Sequence, residues 1–506
     1  MTTRHFEVVV LGGTTYALAT AALLARRGMR GLLVDQGELA AVSGGLLEEL
    51  VLSEEGSPAM ELLHSELGLA HEMRRRARPV TPGLQIVLPD QRFDLPSERG
   101  RLVAELQRAL GAPMASAAVG FLGELDALDA EAGELLAEIG PLPPQGFFPR
   151  RRAAQIAKRH PRLLREWVEP AELTGPKGQL AHLFAGILPF CSHLDPGRDA
   201  RVSALRFARP LARVLKGLLR IDGGPTMRDV LLECAERNGF TVLRTAAERV
   251  EPSGRLVRLA LARSTELVTT DCLVDASSDL SGLASIPHKG RARGLAEVLQ
   301  DATPRGHLHA LALELDAAAI PPGMGQQVLL HNGRRDDRPS GGNAESEDRP
   351  ILLLVRTLAE GRARILALHP ISAARAHLEG RSRLDAVMQA RIERLIPFAR
   401  EANLRIEAIG TSSLESNGHA VVHPFFDPEH DALAGVAGVS THTPYKNVFV
   451  AGPAVLPGVG AEAPHLIALE VADAVETALG RARKTGNLSD RLQARNASTP
   501  PAAKQA

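Results

Sequence analysis

The most constraining feature of this sequence is its first 35 residues. Phe6–Leu11 (FEVVVL) is a short apolar run rich in β-branched residues, which is typical of a buried parallel strand. Gly12-Gly13 ends the run, the Ala- and Leu-rich stretch 16–27 predicts a buried helix, and Gly31–Asp35 (GLLVD) predicts a second strand. A βαβ unit of this kind predicts an α/β fold with a parallel sheet.

The glycine turn invites comparison with the dinucleotide fingerprint G-x-G-x-x-G. On that pattern Gly12 takes the first glycine position, Thr14 the second and Ala17 the third. Asp35 follows Gly12 by 23 residues (35 − 12), near the place where an acidic residue binds a ribose hydroxyl. Thr14 is a departure, because its hydroxyl can donate to a phosphate or its side chain can fill the cofactor's space. A βαβ unit without a ligand therefore stays open as the alternative.

Composition excludes several classes of function. Lys plus Arg and Asp plus Glu both number 59, so the chain lacks the net positive charge of a nucleic-acid binder. Its three cysteines, Cys191, Cys234 and Cys272, form no C-x-x-C pair, which favours a reducing compartment over disulfides or a cysteine zinc site. The N-terminus does not read as a signal peptide, and no apolar stretch is long enough to span a bilayer. We expect a soluble, cytoplasmic protein.

Other segments have clear local patterns. Residues 84–95 (LQIVLPDQRFDL) predict a β-hairpin with its turn at Pro89-Asp90. Residues 333–350 are polar and rich in Gly, which predicts a flexible surface loop. The tail 486–506 has no apolar period, and we expect it to be disordered.

Three blocks together resemble the phytoene desaturase and amine oxidase branch of the flavoprotein oxidoreductases. The first is VVVLGGTTYALATAALLARRGMRGLLVD at the N-terminus. The second, residues 223–277, opens with GGPTMRDVLLECAERNGFTVL, and the third, residues 447–476, is NVFVAGPAVLPGVGAEAPHLIALEVADAVE. The blocks occur in the family's order and spacing, and three in register are a specific fold signal.

The resemblance implies an α/β protein of two domains. A discontinuous FAD-type Rossmann domain would comprise residues 1–83, 217–285 and 440–485. A second, α+β substrate or cap domain would comprise residues 84–216 and 286–439.

The resemblance also implies FAD as the cofactor. Its AMP end and pyrophosphate would lie at the first block, its adenine along the backbone near Val250, and its ribitol and ring at the closing loop of the third block. The residues implied to contact it are Gly12, Gly13, Thr14, Ala17, Asp35, Val250, Gly452, Pro457, Gly458 and Gly460.

A second departure follows Asp35. Family members have a Gly-Gly-Arg stretch there, whereas this chain has Leu46 after Gly44-Gly45, followed by Glu48-Glu49. An arginine would offset the diphosphate charge, and two carboxylates would oppose it. Either FAD is held in a modified way, or the fold has lost its flavin.

The resemblance favours an FAD-dependent oxidoreductase of the phytoene desaturase-like group. One Trp and two Tyr can hardly build an aromatic cage for an amine, so an apolar, isoprenoid-like or lipid substrate suits the composition better. The alternative is an inactive relative that serves as a binding or assembly subunit. A nicotinamide-dependent reductase is weaker, because the third block would then be unexplained. The sequence identifies no catalytic residue.

Further features concern metals and partners. We expect no metal site, because the spacings of His419, His423, His430 and His442 match no standard ligand set, and surface or loop positions are the preferred interpretation. The apolar segment Leu180–Cys191 is interpreted first as a buried helix and second as a membrane contact. The arginines at 74–76 and 78 and at 150–152 are interpreted as solvated, with anionic lipid headgroups or an acidic partner as the alternative. A peripheral membrane contact, a protein partner and a homo-oligomer all stay open.

Overall fold

The computed structural model describes most of the residues of the chain. These are 3–37, 51–52, 57–140, 142–144, 146–167, 175–194, 203–221, 225–262, 264, 266–287, 292–331, 349–378, 380–407, 415–416, 419–420, 422–427, 433, 436–481 and 488–498. The segment 38–50, with Gly44-Gly45 and Leu46, and most of the polar loop predicted at 333–350 lie outside the described residues.

The described strands form two larger sheets and two small ones. In chain order they are β1 (Thr3–Leu11), β2 (Gly31–Asp35), β3 (Val51–Leu52), β4 (Ala77–Pro79), β5 (Leu84–Val87), β6 (Arg92–Leu95), β7 (Leu218–Ile221), β8 (Thr241–Arg244), β9 (Ala247–Ser253), β10 (Leu256–Leu261), β11 (Leu267–Asp275), β12 (Gly306–Asp316), β13 (Gln327–Leu330), β14 (Ile351–Thr357), β15 (Arg362–Ser372), β16 (Arg405–Glu407), β17 (Glu415–Ser416), β18 (His419–Ala420), β19 (Val422–Phe425) and β20 (Val448–Val450).

The described helices connect and cover these sheets. In chain order they are α1 (Thr15–Arg26), α2 (Pro58–Leu67), α3 (Ala70–Arg76), α4 (Arg99–Leu110), α5 (Ala112–Ile139), α6 (Phe147–Ala157), α7 (Pro161–Leu164), α8 (Pro176–Ala185), α9 (Leu188–Cys191), α10 (Ala204–Leu215), α11 (Met227–Arg237), α12 (Ser281–Ala284), α13 (Ala292–Asp301), α14 (Ala373–Leu378), α15 (Arg381–Leu395), α16 (Ala463–Ala478) and α17 (Leu488–Ser498).

The first sheet contains the N-terminal βαβ unit. Its order is β8-β2-β1-β11-β10-β9, and β20 also pairs with β11. The strands β8, β2, β1, β11 and β20 run parallel, whereas β9 and β10 form an antiparallel hairpin beside β11. From β1 the chain passes through α1 to β2 on one side, while β11 flanks β1 on the other. The carboxyl ends of β1 and β11 therefore form the switch point at which open α/β sheets bind ligands.

The second sheet is built from the middle of the chain. Its order is β16-β12-β15-β14-β13-β5-β6, with β19 also paired to β12, and its pairings are antiparallel except that between β13 and β5. One face packs on α15 through a cluster that includes Leu313, Leu353 and Met388. The opposite face joins the main core. Its central strands contribute Leu and Ala side chains, and β5 and β6 add Ile86 and Phe93: Leu308, Ala310, Ala312, Leu329, Leu352, Leu354, Leu366 and Leu368 belong to the central strands.

Helices of the same middle region form an aromatic core around α5. Trp167 stacks on Phe207, with ring centroids 4.9 Å apart and an interplanar angle of 16°. Phe121 meets Trp167 edge-on at 5.2 Å and stacks on Phe184 at 5.5 Å. The one tryptophan of the chain therefore serves the core of this helical layer.

Several local predictions can be compared with this fold. The predicted α/β class is confirmed, and the hairpin predicted at 84–95 is confirmed as β5 and β6. The preferred interpretation of Leu180–Cys191 is also confirmed, because α8, α9 and their connection bury Leu180, Phe184 and Phe190 completely.

The prediction of a disordered tail is wrong for α17. Leu488 and Leu492, one helical turn apart, are buried, and the Arg491 guanidinium binds the carboxylates of Glu66 and Asp473. Two apolar contacts and a buried ion pair order this helix, which a search for a long apolar period overlooks. Among the described helices, none is long and apolar enough to cross a membrane.

Candidate functional site

A tight turn at the carboxyl end of β1 begins the candidate site. Gly12 has φ +112°, and its N–H donates to the Val34 carbonyl at 2.9 Å. A Cβ atom at Gly12 would lie 2.8 Å from the backbone nitrogen of Ser277, so only glycine fits between the ends of β1 and β11. The turn expected from the first glycine of the fingerprint is present.

Thr14 caps the helix that follows this turn. Its hydroxyl accepts the Ala17 N–H at 3.2 Å and donates to the Ala276 carbonyl at 2.9 Å. The side chain is therefore directed toward the end of β11, and it satisfies one of the N–H groups that a helix N-terminus otherwise offers to an anion. Thr14 and Ala17 lie at the start of α1, as the fingerprint alignment predicts, but the hydroxyl already has two partners within the chain.

Asp35 lies at the carboxyl end of β2, where the fingerprint places its ribose-binding acid. The side chain is buried, and one carboxylate oxygen accepts the Gly37 N–H at 3.0 Å. Asp35 is thus held in place by its own turn, at the same edge of the sheet as Gly12.

A buried arginine that the sequence reasoning missed contacts this loop. Arg228, the second residue of α11, donates from Nη2 to the Gly13 carbonyl at 2.8 Å and is only 8% exposed. Helix α11 packs against α1, and both helices begin at the carboxyl edge of the first sheet. A guanidinium consequently lies beside two helix N-termini, which carry partial positive charge and favour an anion. The signal in the sequence was an arginine two residues after the Gly-Gly-Pro-Thr opening of the second block.

The closing loop between β20 and α16 is buried along its whole length from 451 to 460. A Cβ atom at Gly452 would lie 3.0 Å from the Ser277 carbonyl, which places this glycine beside the end of β11. At Gly458 a Cβ atom would approach the Leu194 side chain to 2.8 Å, and at Gly460, with φ +76°, the Cys191 carbonyl to 2.8 Å. The closing loop needs its glycines because the segment 191–194 packs directly against it.

Val250 stands apart from these groups in the sheet. It is buried in β9, opposite Leu259 of β10, and four pairings separate β9 from β2. Its contact with an adenine stays a prediction.

A buried network of charges lies at the start of α16. Glu462 accepts from Arg209 Nε at 2.7 Å and from the Ser57 hydroxyl. Arg209 also donates from Nη1 to Asp129 at 2.7 Å, and Arg213 and Lys216 approach Asp129 to 3.3 and 2.5 Å. The network therefore links α5 and α10 to the closing loop.

Protonation in this network is set by burial and by the cations. Burial alone would raise the pKa of the Asp129 carboxyl, but Arg209, Arg213 and Lys216 lower that pKa to about 2. Burial opposes Arg209 and Arg213 in the same way at Glu462, whose pKa is also lowered. Both carboxyl groups are consequently ionised at neutral pH.

Two stacked histidines lie between the closing loop and the second sheet. His193 and His423 are both buried, and the backbone N–H of His193 donates to the Pro457 carbonyl at 2.9 Å. The ring of Tyr16, in the first turn of α1, lies 5.8 Å from that of His193. Burial, followed by the neighbouring His423, lowers the pKa of His193 well below its usual value, so the ring is neutral.

The four histidines noted between 419 and 442 do not form one cluster. The surface interpretation is wrong for His423, which the stacking on His193 buries. His442 contacts Phe449 edge-on, whereas His430 and the side chain of His419 lie outside the described residues. No group of three or more His, Cys, Asp or Glu side chains within the described part of the chain is placed to hold a metal ion.

Comparisons with known proteins identify the fold. A triple mutant of putrescine oxidase superposes with a TM-score of 0.54 at 13% identity, over 94% of this chain and 99% of that chain. An oxidoreductase from Methanosarcina mazei gives a TM-score of 0.54 at 10% identity, over 93% and 100% of the two chains. Cyclohexylamine oxidase from Brevibacterium oxydans gives 0.50 at 14% identity, over 94% and 100%.

Sequence comparison adds nothing to this structural similarity. No family model matches the chain, and no curated protein matches it. At 10 to 14% identity the solved structures establish the fold alone. The chain shares the α/β fold of these oxidases.

Proposed function

We propose that the protein is an FAD-dependent oxidoreductase that acts on an apolar substrate. The observation that carries the proposal is the arrangement at the switch point of the first sheet. There, the Gly12 turn, the end of β2 at Asp35 and the buried guanidinium of Arg228 lie at one edge, beside the N-termini of α1 and α11. Such an edge favours the diphosphate of a dinucleotide.

The residues fit the AMP and diphosphate end of FAD. Gly12 provides the tight turn, Asp35 a carboxylate for the ribose, and Arg228 a cation in place of the arginine expected near Leu46. The backbone around Gly13 and the first turn of α1, with Thr14 and Ala17, would face the diphosphate. Thr14 fits least well, because its hydroxyl already caps α1.

The closing loop would hold the flavin end of the cofactor. Gly452, Pro457, Gly458 and Gly460 run from the end of β20 to the start of α16, the loop that the resemblance assigns to the ribitol and ring. When bound, the flavin supplies hydride acceptance, and this chain supplies orientation and the exclusion of water. The ion pair between Glu462 and Arg209 would keep the closing loop in one position.

Two observations support an apolar substrate, as in the phytoene desaturase-like group that the sequence resembles. The face of the second sheet that joins the main core is apolar, with mostly Leu and Ala side chains and with Ile86 and Phe93 on β5 and β6. Trp167 is used in the aromatic core around α5, and Tyr16 packs against His193. These contacts favour an isoprenoid-like or lipid substrate over an amine held in an aromatic cage.

The first experiment is to quantify flavin. The protein is purified gently, its visible spectrum is recorded, and the flavin released by denaturation is measured per chain. Near-stoichiometric FAD is the expected result, and lipophilic compounds would then be screened for anaerobic bleaching of the flavin spectrum. Absence of flavin, even after incubation with excess FAD, would overturn the proposal.

The second candidate, which the structural neighbours do not favour, is a flavin-free relative that serves as a binding or assembly subunit. The Thr14 hydroxyl bridges the start of α1 to Ala276 at the end of β11, across the switch point. If no flavin binds, the search would turn to protein partners.

A further inference from the structure

Helix α6 exposes two large aromatic side chains side by side. Phe147 is 69% exposed and Phe148 79%, and their ring centroids lie 5.4 Å apart. The chain has only 13 Phe, and most of those described are buried. Leaving two adjacent rings in water is costly, so such a pair marks a contact surface.

The same side of α6 carries positive charge. Ala153, Ile156 and Ala157 are buried and form the inward side of the helix. At about 100° per residue, both phenylalanines, the arginines at 151 and 152 and the lysine at 158 fall on the outward side. The aromatic rings lie in the first turn of the helix, and the cationic side chains follow in the next turns.

The arginines on α6 differ from their neighbours in having no carboxylate partner. Arg150, Arg151 and Arg152 are exposed, and none forms an ion pair with any residue that the structure describes. By contrast, Arg159 pairs with Glu138 at 2.6 Å, and Arg165 with Glu124 at 3.3 Å. In a chain with equal numbers of acidic and basic residues, three adjacent arginines that pair with no described carboxylate form a local positive patch that complements an anionic surface.

We propose that α6 docks the protein on the surface of a bilayer that contains anionic phospholipids. The rings of Phe147 and Phe148 enter the boundary between headgroups and acyl chains, Arg151 and Arg152 on the same side bind the lipid phosphates, and the exposed Arg150 beside them adds to the attraction. Aromatic and cationic side chains on one face of a helix are the combination that favours an interfacial position over an acidic protein surface. The inference does not depend on the proposed function, although an apolar substrate would be available at such a surface.

The test is co-sedimentation of the full chain with vesicles. Vesicles of phosphatidylcholine alone are compared, at low and high salt, with vesicles in which about 30% of the lipid is anionic phosphatidylglycerol. We expect binding to the anionic vesicles that weakens with salt and little binding to the neutral ones. Replacement of Arg150, Arg151 and Arg152 by Gln should reduce the partition coefficient about 100-fold, since each cation near such a surface contributes about fivefold.

Matched variants distinguish binding through α6 from binding caused by the overall charge or hydrophobicity of the protein surface. The double variant Phe147→Ser, Phe148→Ser should lose at least tenfold in partitioning, whereas Phe398→Ser, at a Phe 70% exposed elsewhere, should not. Removing three exposed arginines outside α6, in Arg74→Gln, Arg75→Gln, Arg78→Gln, should have a clearly smaller effect than the α6 triple variant. All these side chains are exposed, so unchanged circular dichroism and melting temperature verify folding.

Three outcomes would overturn the proposal. The first is no binding of the unmodified protein to anionic vesicles, and retention on immobilised polyglutamate would then identify an acidic protein surface as the partner. The second is equal loss of binding in the two arginine triple variants. The third is loss with the α6 arginine variant but not with the phenylalanine variant, because contact would then be electrostatic without insertion.

Discussion

The imidazole rings of His193 and His423 stack with centroids 3.9 Å apart and an interplanar angle of 18°. Each ring also binds the backbone beside the other: Nδ1 of His193 lies 2.9 Å from the Pro424 carbonyl, and Nε2 of His423 lies 2.7 Å from the Ser192 carbonyl. A carbonyl oxygen can only accept, so both of these ring nitrogens carry a proton. The reciprocal pair fastens the segment after α9 to strand β19.

Buried neutral histidines make the stability of the protein depend on pH. Burial is the main cause that lowers the pKa of His193 and His369 well below the usual value and that of His331 to about 3. The unfolded chain binds protons at these residues near pH 6.5 and the folded chain does not, so their contribution to stability is complete above pH 6.5 and falls as the pH is lowered. Each histidine contributes a slope of up to about 1.4 kcal/mol per pH unit. Asp275, whose pKa burial raises to about 6, offsets one such slope below pH 6.

Urea denaturation between pH 7.5 and 5 measures this effect. We expect the free energy of unfolding to decrease toward pH 5. His331→Gln should reduce the slope below pH 6.5 by up to about 1.4 kcal/mol per pH unit, because one proton fewer is taken up on unfolding. An unchanged slope in that variant would show that His331 does not stay neutral in the folded chain.

Replacing Thr14 by Gly should increase flavin occupancy. The substitution removes the side chain that bridges α1 to Ala276, and it costs only a few tenths of a kcal/mol as a change of N-cap. Released flavin per chain is the measurement. Ser203→Gly, which removes the N-cap of α10, is the control for loss of a cap and should leave occupancy unchanged. Equal occupancy in Thr14→Gly and the unmodified protein would remove the steric argument.

Replacing Arg228 by Gln should weaken FAD binding. The loss of a hydrogen-bonded cation at a diphosphate corresponds to about 1.5–3 kcal/mol, or roughly 10- to 150-fold in Kd. Flavin fluorescence titration of the apoprotein measures it. Arg237→Gln removes a charge from the exposed end of the same helix and should not change Kd. If the two variants bind FAD equally well, Arg228 only supports the loop at Gly13.

Replacing Arg209 by Met should strongly destabilise the fold. The substitution leaves Asp129 and Glu462 buried without their shared cation, and breaking such a pair costs about 3–5 kcal/mol. Urea denaturation at pH 7 measures the change. Arg101→Met removes an exposed partner of Glu98 and should have no measurable effect. A small effect at Arg209 would mean that Arg213 takes over both carboxylates.

The parts of the fold predicted from the sequence depend on neighbours along the chain. The strand of Phe6–Leu11, the turn at Gly12 and the hairpin at 84–95 each follow from a local pattern of apolar, glycine and turn residues. The fingerprint alignment placed Thr14 at the start of the first helix, and the structure places it at the N-cap of α1.

The parts that could not be predicted depend on contacts between distant segments. Arg228 meets Gly13 across 215 positions, and Arg209 meets Glu462 across 253. Isolated arginines in the sequence carry no sign of such partners, because only the packing of helices on the sheet brings them together. His423 was interpreted as a surface residue for the same reason, since its stacking partner His193 lies 230 positions away (423 − 193).

The buried charges at the start of α16 also determine whether the helical layer can be separated from the rest of the fold. Glu462 belongs to the closing segment of the chain, whereas Asp129 and Arg209 belong to the helices that lie over it. Separating the closing segment from these helices would leave ionised side chains without their partners on both pieces. The helical layer is consequently not a portable module, and transplanting it onto a related scaffold would require a glutamate at the matching position of the recipient.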